Sequence, residues 1–224
     1  LRALLATTGR SGLDDRSLDL LRGPGEAGGS ADVPIFYAGD LAILNSRAVS
    51  IVGTRDVSED GRRRASRVAR ELSEAGIVVV SGLAKGVDTA ALSSAMKAGG
   101  QVAAVIGTPL AKAYPAENAR LQEAIWQDHL LLTPFRAGAD IFKSNFPKRN
   151  RVMAVLSDAT VIVEASDTSG TLHQAAECQK LGRWLFIMRT VVDDQNLKWP
   201  AKFLGKPKTA ILNSTADILA AIAS

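Results

Sequence analysis

The chain has 224 residues, 46% of them hydrophobic and 22% charged, which is enough for one large or two small packed domains. A single cysteine, Cys178, rules out an intramolecular disulfide, and two histidines without metal-ligand spacing argue against a metal site. The net charge of +4 is compatible with a polyanionic partner; the single cysteine suits a reducing cytoplasm, and no apolar run approaches the roughly 20 residues of a membrane span.

Residues 1–33 read as an N-terminal extension or linker. Leu18, Leu20 and Leu21 suggest a short helix, and Gly23, Pro24, Gly25, Gly28 and Gly29 a flexible loop. Residues 34–224 read as one domain. Pro34 to Asp40 looks like an edge strand and turn. Ala48 to Val52 is a buried strand ending at Gly53-Thr54-Arg55. Ser58 caps a helix from Glu59 to Ala75, and Gly76 ends it. Ile77 to Val80 is the second buried strand, ending at Ser81-Gly82-Leu83-Ala84-Lys85-Gly86. Asp88 or Thr89 starts a helix through Lys97, which Gly99-Gly100 stops. Val102 to Ile106 is the third strand, Pro115 to Gln127 a helix and His129 to Leu132 the fourth strand. Lys148-Arg149-Asn150-Arg151 reads as a basic turn before a short apolar helical segment. Thr160 to Val163 is the fifth strand, Ser169-Gly170-Thr171 a small-residue turn opening a helix, and Trp184 to Met188 the sixth strand. Ala210 to Leu212 adds a short last strand, and Thr215 caps a terminal helix through Ala223.

Strands of four to six residues, apolar on both faces and alternating with helices, indicate an α/β fold. The expected architecture is a Rossmann-like, doubly wound, mostly parallel sheet with helices on both faces. Ligands of such sheets bind at the carboxyl ends of the strands. Three turns there have phosphate-binding character. Gly53 and Thr54 allow close backbone approach and Arg55 offers a forked contact. Ser81, Gly82 and Gly86 allow an anion nest, with Lys85 as a point charge. Ser169, Gly170 and Thr171 sit at a helix start, where N–H groups attract an anion. Each has an ordinary alternative as a connecting turn or a simple cap. There is no GxGxxG and no Walker A lysine.

Arg62, Arg63, Arg64, Arg67 and Arg70 crowd one helix, as a DNA-binding strip or as a solvated face paired with Glu59, Asp60, Glu71 and Glu74; the solvated face is favoured. Catalytic readings are weak. His129 reads as a packed core histidine. His173 and Cys178 do not share a helical face well. Glu164 is the best single acid, or else a partner for the turn's backbone. Trp126, Trp184, Trp199, Phe135, Phe142 and Phe146 are mostly core candidates, with base stacking as the alternative.

Nine segments, in order over roughly Pro34 to Met188, carry a resemblance: YAGDLAIL from Tyr37, SIVGTR from Ser50, VVVSGLAKGVDTAAL from Val78, VAAVIGT from Val102, YPAEN from Tyr114, DHLLL from Asp128, FPKRNRVMAVLS from Phe146, VIVEASDTSGTL from Val161 and LGRWLFIM from Leu181. The chain resembles the DNA-processing protein A (DprA, or Smf) family. The resemblance implies a non-catalytic single-stranded-DNA-binding protein without cofactors. Such a protein dimerises and loads the RecA recombinase onto DNA during natural transformation. It maps nucleic-acid contacts onto Arg55, Lys85, Lys148, Arg149, Asn150 and Arg151. The chain departs from the family pattern at Leu92, Pro109, Ala111, Thr133-Pro134 and the TLHQA run after Gly170, and Arg189-Thr190-Val191 replaces a Pro-Gly loop. These departures are expected at strand ends, where a ligand would sit. A nucleotide-sensing module is the alternative. A phosphoribohydrolase is less favoured, because Gln174 stands where that chemistry needs a glutamate.

Overall fold

A computed structural model describes residues 34–223. The reading of residues 1–33 as an extension, with its short helix and glycine-rich loop, lies outside the described residues.

The described chain forms β1 (Phe36–Gly39), β2 (Ala48–Val52), α1 (Glu59–Glu74), β3 (Val78–Ser81), α2 (Val87–Lys97), β4 (Val102–Val105), α3 (Ala119–Asp128) and β5 (Leu130–Thr133). It continues through α4 (Asn145–Leu156), β6 (Ala159–Ile162), α5 (Thr171–Lys180), β7 (Trp184–Met188), the short α6 (Arg189–Val192), β8 (Thr209–Leu212) and α7 (Thr215–Ala223). The sheet order is β1-β5-β4-β3-β2-β6-β7-β8. Every pairing is parallel except β1 with β5, so β1 is the antiparallel edge strand. From β2 the chain winds outward through β3, β4 and β5, then returns to place β6 on the other side of β2. The winding direction reverses between β2 and β6, which opens a crevice beyond their carboxyl ends.

Strands β2 to β6 are buried at every position. Their continuous Val, Ile, Leu and Ala runs follow from having helices on both faces. α1 packs Ala65, Val68, Ala69 and Leu72 inward and holds its arginines on the other side. Its start is fixed by Ser58, whose hydroxyl accepts from the Gly61 N–H at 2.9 Å and donates to Glu164 Oε2 at 2.6 Å. Its end is a Schellman closure. Gly76 takes φ +74°, its N–H reaches the Ser73 carbonyl at 3.0 Å, and Ile77 N–H reaches the Leu72 carbonyl at 2.9 Å.

Two local expectations are corrected. Lys148 to Arg151 is not a turn but the first half of α4; Pro147 is accommodated there because first-turn N–H groups have no intrahelical partner. His129 is not in the core. It caps α3 as a half-buried residue, with Nδ1 2.9 Å from Gln101 Oε1. Burial lowers its pKa below the ordinary histidine value.

Candidate nucleic-acid interface

The crevice between β2 and β6 is a cleft of ≈ 320 Å³. Its rim is Gly53, Thr54 and Arg55 on one side and Ser166, Ser169, Gly170 and Thr171 on the other. α4 supplies the wall with Phe146, Arg149, Asn150 and Met153. These positions lie three or four apart and so share one helical face. Lys148 and Arg151 lie off that face, and Arg151 Nε sits 3.5 Å from Glu177 of α5.

Arg55 and Phe146 form the mouth. The exposed Arg55 guanidinium lies 5.2 Å above the Phe146 ring centroid. Tyr114, 45% exposed, lies on the same ring at 5.5 Å between centroids. Charge and flat aromatic surface thus meet at one point.

Arg149 and Asp88 form the floor. Arg149 is 5% exposed; its Nη1 donates to the Val105 carbonyl at 2.8 Å. Burial pulls its pKa down to about 10, with Arg55 adding repulsion and Asp88 opposing both. Asp88 is also 5% exposed, and its carboxylate accepts from the N–H groups of Gly82 at 3.1 Å and Ala84 at 3.3 Å. Burial raises its pKa, against the pull of Arg149. The anion nest expected at Ser81 to Gly86 therefore holds an internal carboxylate. Ser81 is buried, and its hydroxyl donates to the Ile51 carbonyl at 2.7 Å. Gly82 is required by the floor, since a Cβ there would run into the Arg149 guanidinium. Gly86 takes φ +78° and passes so close to the carbonyls of Thr54 and Arg55 that a side chain has no room.

The other expected residues divide. Asn150 lines the cleft, and its side chain reaches the Gly170 carbonyl at 3.5 Å. Lys85 borders an adjoining hollow with Arg55, Tyr114 and Phe146, and is paired with Glu117 at 2.6 Å. At the start of α5, the N–H groups of Thr171 and Leu172 turn back to Ser169, and that of His173 to Gly170. Glu164 bonds the backbone and hydroxyl of Ser58 and sits 3.5 Å from Arg64, so it anchors α1. Gln174 lies on the floor, fully buried. With its amide nitrogen turned to the Asn150 carbonyl at 2.5 Å, its oxygen faces the Ala154 N–H at 3.3 Å. A side chain tied to α4 in this way is not presented to a substrate. Of the departures, Thr171 and Gln174 of the TLHQA run line the cleft; Leu92 and Thr133 are buried away from it, and Pro109 and Ala111 lie outside it.

Sequence reading passed over Asp88 as a site residue and gave Phe146 only as one aromatic among six. A signal for Phe146 existed in its spacing from Arg149, Asn150 and Met153. Asp88 carried none, because it meets Arg149 only through the fold.

The family profile of DNA recombination-mediator protein A matches residues 29–223. The DNA processing protein DprA of Streptococcus pneumoniae is 38% identical over 190 residues, covering 85% of this chain and 67% of its own length. Protein Smf of Synechocystis is 36% identical over 165 residues, covering 72% of this chain but 42% of its own length. The chain therefore spans only part of these relatives. The structure of DNA processing protein A from Helicobacter pylori, solved for its single-stranded DNA binding mode, superposes with a TM-score of 0.76 at 26% identity, over 94% of both chains.

Proposed function

The chain belongs to the DNA recombination-mediator protein A family, and we propose from that premise that its β2–β6 cleft binds single-stranded DNA, without turnover. The observation that carries this reading is the Arg55 guanidinium seated on Phe146 at the cleft mouth. A single strand offers a phosphate to the cation and an unpaired base to the ring, and every base has a face to stack. Arg149 adds positive potential from the floor, where low dielectric preserves it, and its bond to the Val105 carbonyl keeps its side chain in place. Lys85, Lys148 and Arg151 contribute charge around the rim. Transfer of the strand to RecA, assembly as a homodimer and a cytoplasmic setting belong to the same proposal, on the strength of the family.

The decisive experiment is anisotropy with a labelled oligothymidylate at low and high salt. Binding should weaken steeply with salt, because neutralised phosphates release counterions, and Arg55→Ala should reduce it. Full binding by Arg55→Ala would remove this cleft from the proposal. A nucleotide sensor predicts the opposite preference: thermal stabilisation by a mononucleotide and none by the oligonucleotide.

A further inference from the structure

Helix α1 carries an arginine surface that the cleft does not use. Arg62, Arg63, Arg67 and Arg70 line a groove of ≈ 400 Å³ between α1 and α2. Glu59, Ser66 and Ser94 complete it, and Ser94 donates to the Ser66 carbonyl at 2.8 Å, which closes the floor. No apolar side chain lines this groove. Arg67 also borders a second depression, at the carboxyl ends of β7 and β8, together with Arg64 and Arg189. The two basins thus form one basic surface hinged on Arg67, and neither shares a residue with the cleft.

The acids on α1 do not cancel this surface. Arg62 and Arg63 pair with Glu59 at 3.9 and 3.7 Å, Arg63 also with Asp60, and Arg70 with Glu71 and Glu74 at 3.8 and 3.6 Å. All these side chains are at least a third exposed, so each pair is weak in water and yields readily to a phosphate. Among the described residues, Arg67 has no carboxylate within ion-pair distance. The absence of apolar lining favours a phosphodiester backbone over a peptide, which needs somewhere to place side chains. From Arg62 to Arg70 the helix advances roughly 12 Å, the length of roughly three to four nucleotides at duplex rise. The groove also begins close to the cleft. The helix cap Ser58 is bonded to Glu164, whose carbonyl accepts from the Thr54 N–H on the rim at 2.7 Å.

We propose that the arginine face of α1 is a second phosphate track, which holds single-stranded DNA where it extends out of the cleft. This rests on the cleft binding single-stranded DNA. The test uses oligothymidylates of roughly 6 and roughly 20 nucleotides, the first within the site size of one compact binding unit and the second beyond it. Arg63→Ala/Arg67→Ala should leave the affinity for the 6-mer unchanged, which also reports intact folding. It should lower the salt slope for the 20-mer by about 1.4, from about 0.7 per lost phosphate contact. Lys202→Ala/Lys206→Ala removes the same charge elsewhere and should leave that slope alone. An unchanged 20-mer slope in the arginine variant, or an equal drop in the lysine control, overturns the track while leaving the cleft reading intact. Failure of the unsubstituted protein to bind either oligonucleotide overturns both. Loss of poly-glutamate binding in the arginine variant, with its DNA slope unchanged, assigns the face to an acidic protein and likewise overturns the proposal.

Discussion

Arg149→Met tests whether the cleft floor is an electrostatic pair or a packing accident. Burial raises the Asp88 pKa above 3.8 and lowers that of Arg149 to about 10. For Asp88, the native state holds its proton more tightly than the unfolded chain. Its contribution to stability is therefore complete below the unfolded value and lost as pH rises through the raised native value. For Arg149 the sign is opposite: its contribution is present above the unfolded value and lost as pH falls through about 10. At neutral pH the guanidinium is thus charged at a cost, on the order of 3 kcal/mol. Removing Arg149 leaves the Asp88 carboxylate buried beside two backbone N–H groups and no cation. The expected loss at pH 7 is about 3–5 kcal/mol. That loss should shrink as pH falls, because an Asp88 that has taken up a proton leaves no buried charge. Asp88→Asn/Arg149→Met should recover much of the loss, since a neutral pair of similar volume has nothing to desolvate. Urea denaturation of the unsubstituted protein, Arg149→Met, Asp88→Asn and the double variant at pH 4 and pH 7 measures all of this. A loss of equal size at both pH values, or single-variant losses that add within about 0.5 kcal/mol, refutes the reasoning.

Phe146→Ala should weaken oligonucleotide binding by about 1–3 kcal/mol, the range for loss of one stacking platform, while Phe146→Trp retains it; anisotropy at fixed salt checks both. Gly86→Ala should destabilise the fold by about 1–3 kcal/mol through its positive φ alone, and by more because the Thr54 and Arg55 carbonyls leave no room for a Cβ; thermal unfolding reads it. Cys178 is fully buried and its thiol pKa is pushed up to about 12, so a thiol reagent at pH 8 should label the native protein far more slowly than the urea-unfolded chain.

The fold was legible because its signals are local. Each buried strand is a short apolar run, and the capping residues Ser58 and Gly76 act within a few positions of themselves. The edge strand before Gly39 and the last strand at Leu212 were visible for the same reason. The site was legible only where it too was local. Arg55 follows the first buried strand directly, so the strand-end rule found it. The KRNR run misled as to conformation because three cations within four residues look like a solvated turn. A helix turns about 100° per residue, so Arg149 faces the core while Lys148 and Arg151 point elsewhere.

Arg149 on α4 and Asp88 at the start of α2 feel each other's charge only because the fold brings the two helices to the same end of the sheet. No pattern within either segment announces that contact. The same holds for the Ser81–Gly86 turn, whose composition suits an anion and whose anion is supplied by the chain itself. Glycine-rich turns at strand ends therefore identify where charge is managed, not whose charge it is. Here Gly82 is small so that Arg149 can lie against the backbone, and Gly86 is small so that two loops can cross. If the cleft binds DNA as proposed, substitution at either glycine should lower affinity and stability together, because both shape the floor beneath Arg55 and Phe146. Substitution of Arg55 should lower affinity alone.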